Sequence, residues 1–242
     1  MTPQLDLGRV RLFYTMAEQR YQASLTLENY MESPQQATQR AVTLASFAVI
    51  RTQRPDVQVF NELLVQYPPP GVETEERPSS VVPDNMVVIH PTPLVLNGSF
   101  KTPLQPVGPF LMLEYVSKSN SRKDYEVNML RYQNELRVPY YLLFYPDNDE
   151  LTVFRLVEGE YQTVLPNDAG RLEIPELELE VALLGEWVRY WFRGKLVQLP
   201  GDLAIRVEAL ELNLEAAELK LAAQDAELVR LRAELANRPA AG

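Results

Sequence analysis

Apolar residues recur at helical spacing along residues 35–53, QQATQRAVTLASFAVIRTQ, where Ala41, Leu44, Ala45, Ala48 and Val49 line one face after Pro34. The spacing predicts a helix. Residues 57–67 read as a strand, and a second strand is expected over 86–90, just after Pro83-Asp84. A continuous apolar run from Pro109 to Leu113 predicts a buried strand over 110–117. Residues 123–137 place Val127, Leu130 and Leu136 at helical spacing, with Met129 and Tyr132 beside them. Residues 140–145 form another buried strand, closed by Pro146-Asp147-Asn148-Asp149. Shorter strands follow at 151–157 and 160–165, joined by Gly159, and a further one at 179–183. Strand, crossover helix and strand over 110–145 predict a parallel pair, and the later hairpin is antiparallel. The core is therefore mixed α/β.

Two stretches break the pattern. Residues 68–78 are rich in Pro and Glu, and 91–108 are rich in Pro, Asn and Gly; both read as loops, the second long enough to suggest function. After Pro200-Gly201 the composition changes. Residues 203–238 hold no Pro or Gly and are rich in Leu, Ala and Glu. Leu203, Leu210, Ala217, Gln224 and Leu231 fall seven apart, and so do Val207, Leu214, Leu221, Leu228 and Leu235. That seam predicts a coiled coil, weakened in the middle by Ala217 and Gln224. The alternative is a single helix folded back on the body.

Composition narrows the chemistry. The 242 residues carry no Cys and one His, His90, with a net charge of −10. Thiolate zinc and disulfides are excluded, and with a single His, carboxylates and lysines are expected to carry any reaction. The absence of Cys suits a reducing compartment. The amino end, MTPQLDLGRVRLFYTMAEQRYQ, has no continuous apolar segment, so a cytoplasmic protein without a membrane span is expected. The acidic balance argues against broad coating of DNA but leaves room for a local basic groove. There is no Gly-rich phosphate loop, which excludes a P-loop ATPase.

The apolar strand 110–117 holds an acid, Glu114, between Leu113 and Tyr115. A carboxylate in a central strand is costly unless it is paired, hydrogen-bonded or holding a metal. Strand alternation puts Glu114 and Lys118 on one face, and Asp84 opens the neighbouring strand. Two carboxylates at adjacent strand ends with a lysine nearby make a Mg²⁺ site of the kind that hydrolyses phosphodiesters. Each residue also has a plainer reading. Pro83-Asp84 can be a turn, Glu114 can pair with an arginine, and Lys118 can be solvated.

The order PDNMVV, then PFLMLEYVSKSNSRKDYEVNMLRYQNELRVPYYLLFYPDNDELTVFRL, resembles the Uma2-type (DUF820) restriction endonucleases of the PD-(D/E)XK nuclease superfamily, over roughly residues 80–195. The resemblance implies a restriction-endonuclease-like mixed sheet with flanking helices, a Mg²⁺ (or Mn²⁺) ion held by Asp84 and Glu114, and DNA as substrate. It also implies a lysine two residues after the Glu or four residues after the Asp that leads the next helix. Here those positions are Val116 and Asn128. Lys118 is the nearest substitute and Lys123 the second.

Other features have structural readings beside functional ones. Glu62 can add an acidic ligand or pair at the surface. His90 can touch substrate or serve the fold. Residues 186–193, EWVRYWFR, can contact nucleic acid or pack as an amphipathic element. Lys118, Arg122 and Lys123 form a small basic cluster for a phosphate backbone. The expectation is a nuclease-like domain over 1–196 and a coiled-coil helix over 203–238 that makes a homo-oligomer, a dimer. The function expected is Mg²⁺-dependent endonucleolytic cleavage of DNA; the alternative is a catalytically inactive scaffold acting through its coiled coil.

Overall fold

The computed structural model describes residues 6–26, 33–69, 71, 78–116 and 123–236. Two compact units divide the chain, Met1–Val197 and Gln198–Gly242.

The body opens with helix α1, Leu7–Ser24, which the sequence reading did not anticipate. Asp6 caps it by accepting from the N–H groups of Gly8 (3.0 Å) and Arg9 (3.2 Å). Its buried face is only Val10, Tyr14 and Glu18, spaced by four. One acid and one phenol in so narrow a stripe leave little hydrophobic periodicity to detect. Helix α2, Pro34–Arg51, is where the apolar spacing placed it. Ser33 and Gln36 form a reciprocal capping box and Pro34 takes the first turn, where its missing N–H costs nothing.

Strands β1 (Val57–Asn61), β4 (Asn85–Ile89), β6 (Leu111–Tyr115), β7 (Tyr140–Tyr145), β8 (Glu150–Val157) and β9 (Glu160–Thr163) form one six-stranded sheet in the order β1-β4-β6-β7-β8-β9. Only β6 and β7 are parallel; the other neighbours run antiparallel. A second sheet joins β2 (Val65–Tyr67), β3 (Ser79–Val81) and β5 (Phe100–Lys101). A third is the antiparallel series β10 (Leu172–Ile174), β11 (Leu179–Leu184), β12 (Trp187–Phe192) and β13 (Lys195–Leu196). The fold is mixed α/β with mixed sheets and flanking helices.

Three expected elements differ. Residues 57–67 are two strands in different sheets, parted at Glu62, whose φ of 45° ends the extended backbone. That turn uses no Gly, so alternation alone could not show it. The loop 91–108 contains β5 and a 3₁₀ turn, Thr102–Leu104. β5 is two residues long and pairs parallel with β2, a contact made 35 residues along the chain, between Val65 and Phe100. Residues 186–193 contribute β12, whose Val188, Tyr190 and Phe192 are buried.

The six-stranded sheet is covered on both faces. On one, Leu111, Leu113, Tyr115, Tyr140, Leu142 and Phe144 pack with Phe47 and Ile50 of α2 and with the third sheet. On the other, Met86, Val88, Met112, Val116, Tyr141 and Leu143 pack with the second sheet and with Tyr132 and Val138 of the crossover. Between α2 and the sheet runs a buried polar chain. Tyr190 Oη lies 2.8 Å from Thr43 Oγ1, which lies 2.7 Å from Tyr115 Oη, and Tyr115 donates to Asn85 Oδ1 at 2.7 Å. Gln39 joins it to Thr43 and to both backbone groups of Val188.

At α1, Glu18 and Lys101 form a buried ion pair at 2.8 Å, and Ser99 donates to Glu18. The pair lies beside a cleft of about 440 Å³ between α1 and residues 95–105. Helix α3, Pro200–Ala236, makes up the second unit. Among the described residues no helix is long and apolar enough to cross a membrane.

Candidate active site

Glu114 occupies β6 on the face shared with Met112 and Val116, and only 4% of it is exposed. The crossover that follows is wound as a π-helix over Lys123–Asn128 and again over Arg131–Glu135. Such winding is rare and concentrates at functional sites. Two residues four apart, neighbours on one helical face, meet one carboxylate oxygen. Tyr132 Oη donates to Glu114 Oε1 at 2.5 Å, and Asn128 Nδ2 donates to the same atom at 3.0 Å. Both donors are buried. Burial first, then the adjacent Glu114 charge, holds the Tyr132 phenol well above its ordinary pKa, with Asp84 adding to the effect. Tyr132 therefore remains a donor throughout the neutral range.

Asp84 enters from the neighbouring strand. β4 and β6 pair Asn85 with Leu113, and one further step of that register brings Asp84 opposite Glu114. Asp84 Oδ2 accepts the Tyr115 backbone N–H at 2.6 Å, and Oδ1 accepts from Arg40 at 3.1 Å. The other arm of the Arg40 guanidinium pairs with Glu62 Oε1 at 3.0 Å. Glu62 is held there by its own N–H, which donates to the Asp84 carbonyl at 3.2 Å. Burial pushes the Asp84 carboxyl above its usual range; the Tyr115 N–H and the Arg40 charge oppose the shift, and Glu62 adds to it.

A second layer fixes these groups. Gln36 of the α2 capping box donates to the Tyr115 carbonyl at 2.6 Å. Tyr115 and Asn85, the residues next to Glu114 and Asp84, are members of the buried polar chain under α2. Beyond the strand ends is a small cavity of about 60 Å³ lined by Ser33, Gln36, Val116, Pro146 and Asp147. Two larger clefts lie elsewhere, lined by α1 with residues 95–105 and by residues 148–183.

The structure thus places Asp84 on the Tyr115 N–H and Arg40, and Glu114 on Tyr132 and Asn128. Lys118 and Arg122 lie outside the described residues. Lys123 opens the π-wound crossover, and its side chain also lies outside the description. Glu62 is half-exposed and paired with Arg40. His90 serves the fold: its Nδ1 sits 2.8 Å from the Thr92 carbonyl. Arg40 escaped the sequence reading because its partner Asp84 is 44 residues away.

Donor chemistry decides whether a divalent cation suits this set. Asp84 and Glu114 are hard oxygen donors at facing positions. Asn128 adds a buried amide oxygen, Oδ1, with no hydrogen-bond partner among the described residues. Mg²⁺ and Mn²⁺ take oxygens of this kind. Arg40 already neutralises part of the charge on Asp84, and among the described residues no three Asp, Glu or His side chains are gathered as a cage. The residues fit an ion held by few protein oxygens and completed by water.

Comparison with known proteins follows from this geometry. Residues 16–184, more than two thirds of the chain, match the model of the Uma2 family, whose description is "Putative restriction endonuclease". Both carboxylates, with Arg40, Glu62, Tyr115, Asn128 and Tyr132, fall inside the match. A crystal structure of a "putative nuclease belonging to DUF820" from Anabaena variabilis ATCC 29413 is similar at 18% identity with a TM-score of 0.45, over 61% of this chain and 75% of that one. No curated protein matches the chain.

Proposed function

Since the chain belongs to the Uma2 family of restriction-endonuclease-like proteins, we propose that it is a Mg²⁺- or Mn²⁺-dependent endonuclease that hydrolyses DNA phosphodiester bonds at Asp84 and Glu114. The observation that carries this reading is the pairing of β4 with β6, whose register extended by one step sets the partly buried Asp84 opposite the buried Glu114. A divalent ion held by Asp84 and Glu114, with the Asn128 oxygen in reach, would supply Lewis acidity and an activated water.

The chain's own residues supply the rest. Tyr132 and Asn128 fix the orientation of Glu114, and the Tyr115 N–H fixes Asp84. Arg40 opposes the upward shift that burial imposes on the Asp84 carboxyl. Lys118, with Lys123 as second choice, neutralises charge on the phosphate or orients the attacking water. Helix α3 joins two copies, so that two such sites act together, one for each strand of a duplex.

A specific observation favours a second reading. In the position where the Uma2-type pattern carries lysine stands Asn128, whose amide donates to Glu114. On that reading the body is a non-cleaving scaffold and self-association through α3 is its work.

Cleavage of supercoiled and linear DNA with Mg²⁺ or Mn²⁺ separates the two, with Asp84→Ala and Glu114→Ala as comparisons. Cutting that requires metal and both carboxylates establishes the nuclease. Folded protein that cuts nothing across metals and substrates leaves the scaffold.

A further inference from the structure

Resting on the reading that α3 self-associates, the side chains flanking its apolar seam choose one arrangement. Leu203, Leu210, Ala217, Gln224 and Leu231 occupy the d positions, and Val207, Leu214, Leu221 and Leu228 the a positions. The large apolar side chains of the seam are 41% (Leu231) to 61% (Leu214) exposed. The helix is 37 residues long, enough for five heptads.

The flanks carry the discriminating charges. Arg206, Asn213, Lys220 and Glu227 precede the a positions, while Glu211, Glu218, Asp225 and Arg232 follow the d positions. In a parallel, in-register pair each residue of the first set meets the residue five further along the other strand. The contacts become Arg206 with Glu211, Lys220 with Asp225, and Glu227 with Arg232, all of opposite sign. The fourth, Asn213 with Glu218, is neutral on one side. In an antiparallel pair the second flank faces itself, which sets Glu211, Glu218 and Asp225 against one another. Glu227 now pairs with Arg230 of its own helix at 2.8 Å, an exposed bond that yields readily.

Gln224 points the same way. In the parallel register its amide meets the amide of its own counterpart and the two can bond across the seam. A slip of one heptad, or an antiparallel pair, sets it against Ala217 or a leucine and leaves a buried amide unsatisfied. We propose that α3 pairs with α3 of a second copy as a parallel, in-register, two-stranded coiled coil. A shorter apolar row, Ile205, Leu212 and Leu219, lies on the far side, broken by Glu208 and Glu215; it would serve only a higher assembly.

The absence of Cys gives a direct test. Single substitutions Leu210→Cys and Leu228→Cys, near opposite ends of the seam, are oxidised in the full-length protein, and the mass of the unmodified chain is measured by light scattering. The expected result is a two-chain mass and a disulfide-linked dimer from each variant alone. Arg206→Glu should lower dimer affinity tenfold or more, and Glu211→Arg added to it should restore affinity. A one-chain mass overturns self-association itself. A two-chain mass without like-to-like crosslinks at both ends overturns only the parallel register. A mass above two chains overturns the two-stranded assembly.

Discussion

Asn128 Nδ2 donates to Glu114 Oε1 at 3.0 Å from the helical position at which the Uma2-type pattern carries lysine. A neutral donor there orients the carboxylate but cannot neutralise charge building on a phosphate. Asn128→Lys should therefore raise metal-dependent cleavage of DNA at least tenfold if the site is a nuclease. Measured on linear duplex with Mg²⁺, an unchanged rate would show that the missing cation does not limit the reaction.

Tyr132→Phe keeps the packing against Tyr141, whose ring lies 5.2 Å away, and removes only the hydroxyl bound to Glu114. A hydrogen bond to a charged group contributes about 1.5–3 kcal/mol. The variant should lose that much unfolding free energy, read as a lower urea midpoint with the slope of the transition unchanged. A shift close to zero would mean that Glu114 finds another donor.

Arg40→Gln removes the cation that opposes the burial shift at Asp84. The folded-state pKa of Asp84 already lies above its unfolded value, so folding takes up a proton in the window between them. Stability falls as pH rises through that window, and losing Arg40 widens it. The variant should lose about 1–3 kcal/mol at neutral pH and less near pH 4. Denaturation curves at the two values check the difference.

Six tyrosines, Tyr67, Tyr115, Tyr132, Tyr140, Tyr161 and Tyr190, have phenols raised above their ordinary pKa, each chiefly by burial. The unfolded chain ionises them near pH 10, while the folded chain keeps them protonated. Their contribution is whole below that pH and is lost as pH rises above it. Alkaline unfolding should be steep, with tyrosinate absorbance appearing together with loss of the sheet signal. Gradual titration before unfolding would contradict the burial.

Gly98→Ala tests the α1 cleft. Gly98 has φ of +81°, and an added Cβ would stand 2.0 Å from Glu18 Oε1. Backbone strain alone costs about 1–2 kcal/mol, and displacing Glu18 from Lys101 adds to it. A melting temperature lowered by several degrees is expected; an unchanged one would show that Glu18 can turn aside freely.

Local pattern was enough for the parallel β6–β7 pair, the β8–β9 hairpin and the span of α2, but not for the buried face of α2, which is Gln39, Thr43, Ser46, Phe47 and Ile50 rather than the side of Ala41, Ala48 and Val49. It was not enough for α1, whose stripe is partly polar, nor for the break at Glu62, a turn without Gly. Arg40 and Gln36 join the site through contacts far apart in sequence, and no local pattern carries those. Asn128 was visible as a departure from the family pattern. Its bond to Glu114 is a contact between β6 and the crossover, which the spacing of apolar residues does not disclose.

The polar chain under α2 has a direction. Asn85 Oδ1 has no proton to give, so Tyr115 must donate to it. Tyr115 is then left as the acceptor of the Thr43 proton, and Thr43 accepts from Tyr190. Three hydroxyl protons point one way, from the third sheet to the strand that follows Asp84. None can turn without the next. One amide orientation at Asn85 thereby sets the polarity of every dipole in the line, and a reversal there would travel to Tyr190 as a single flip.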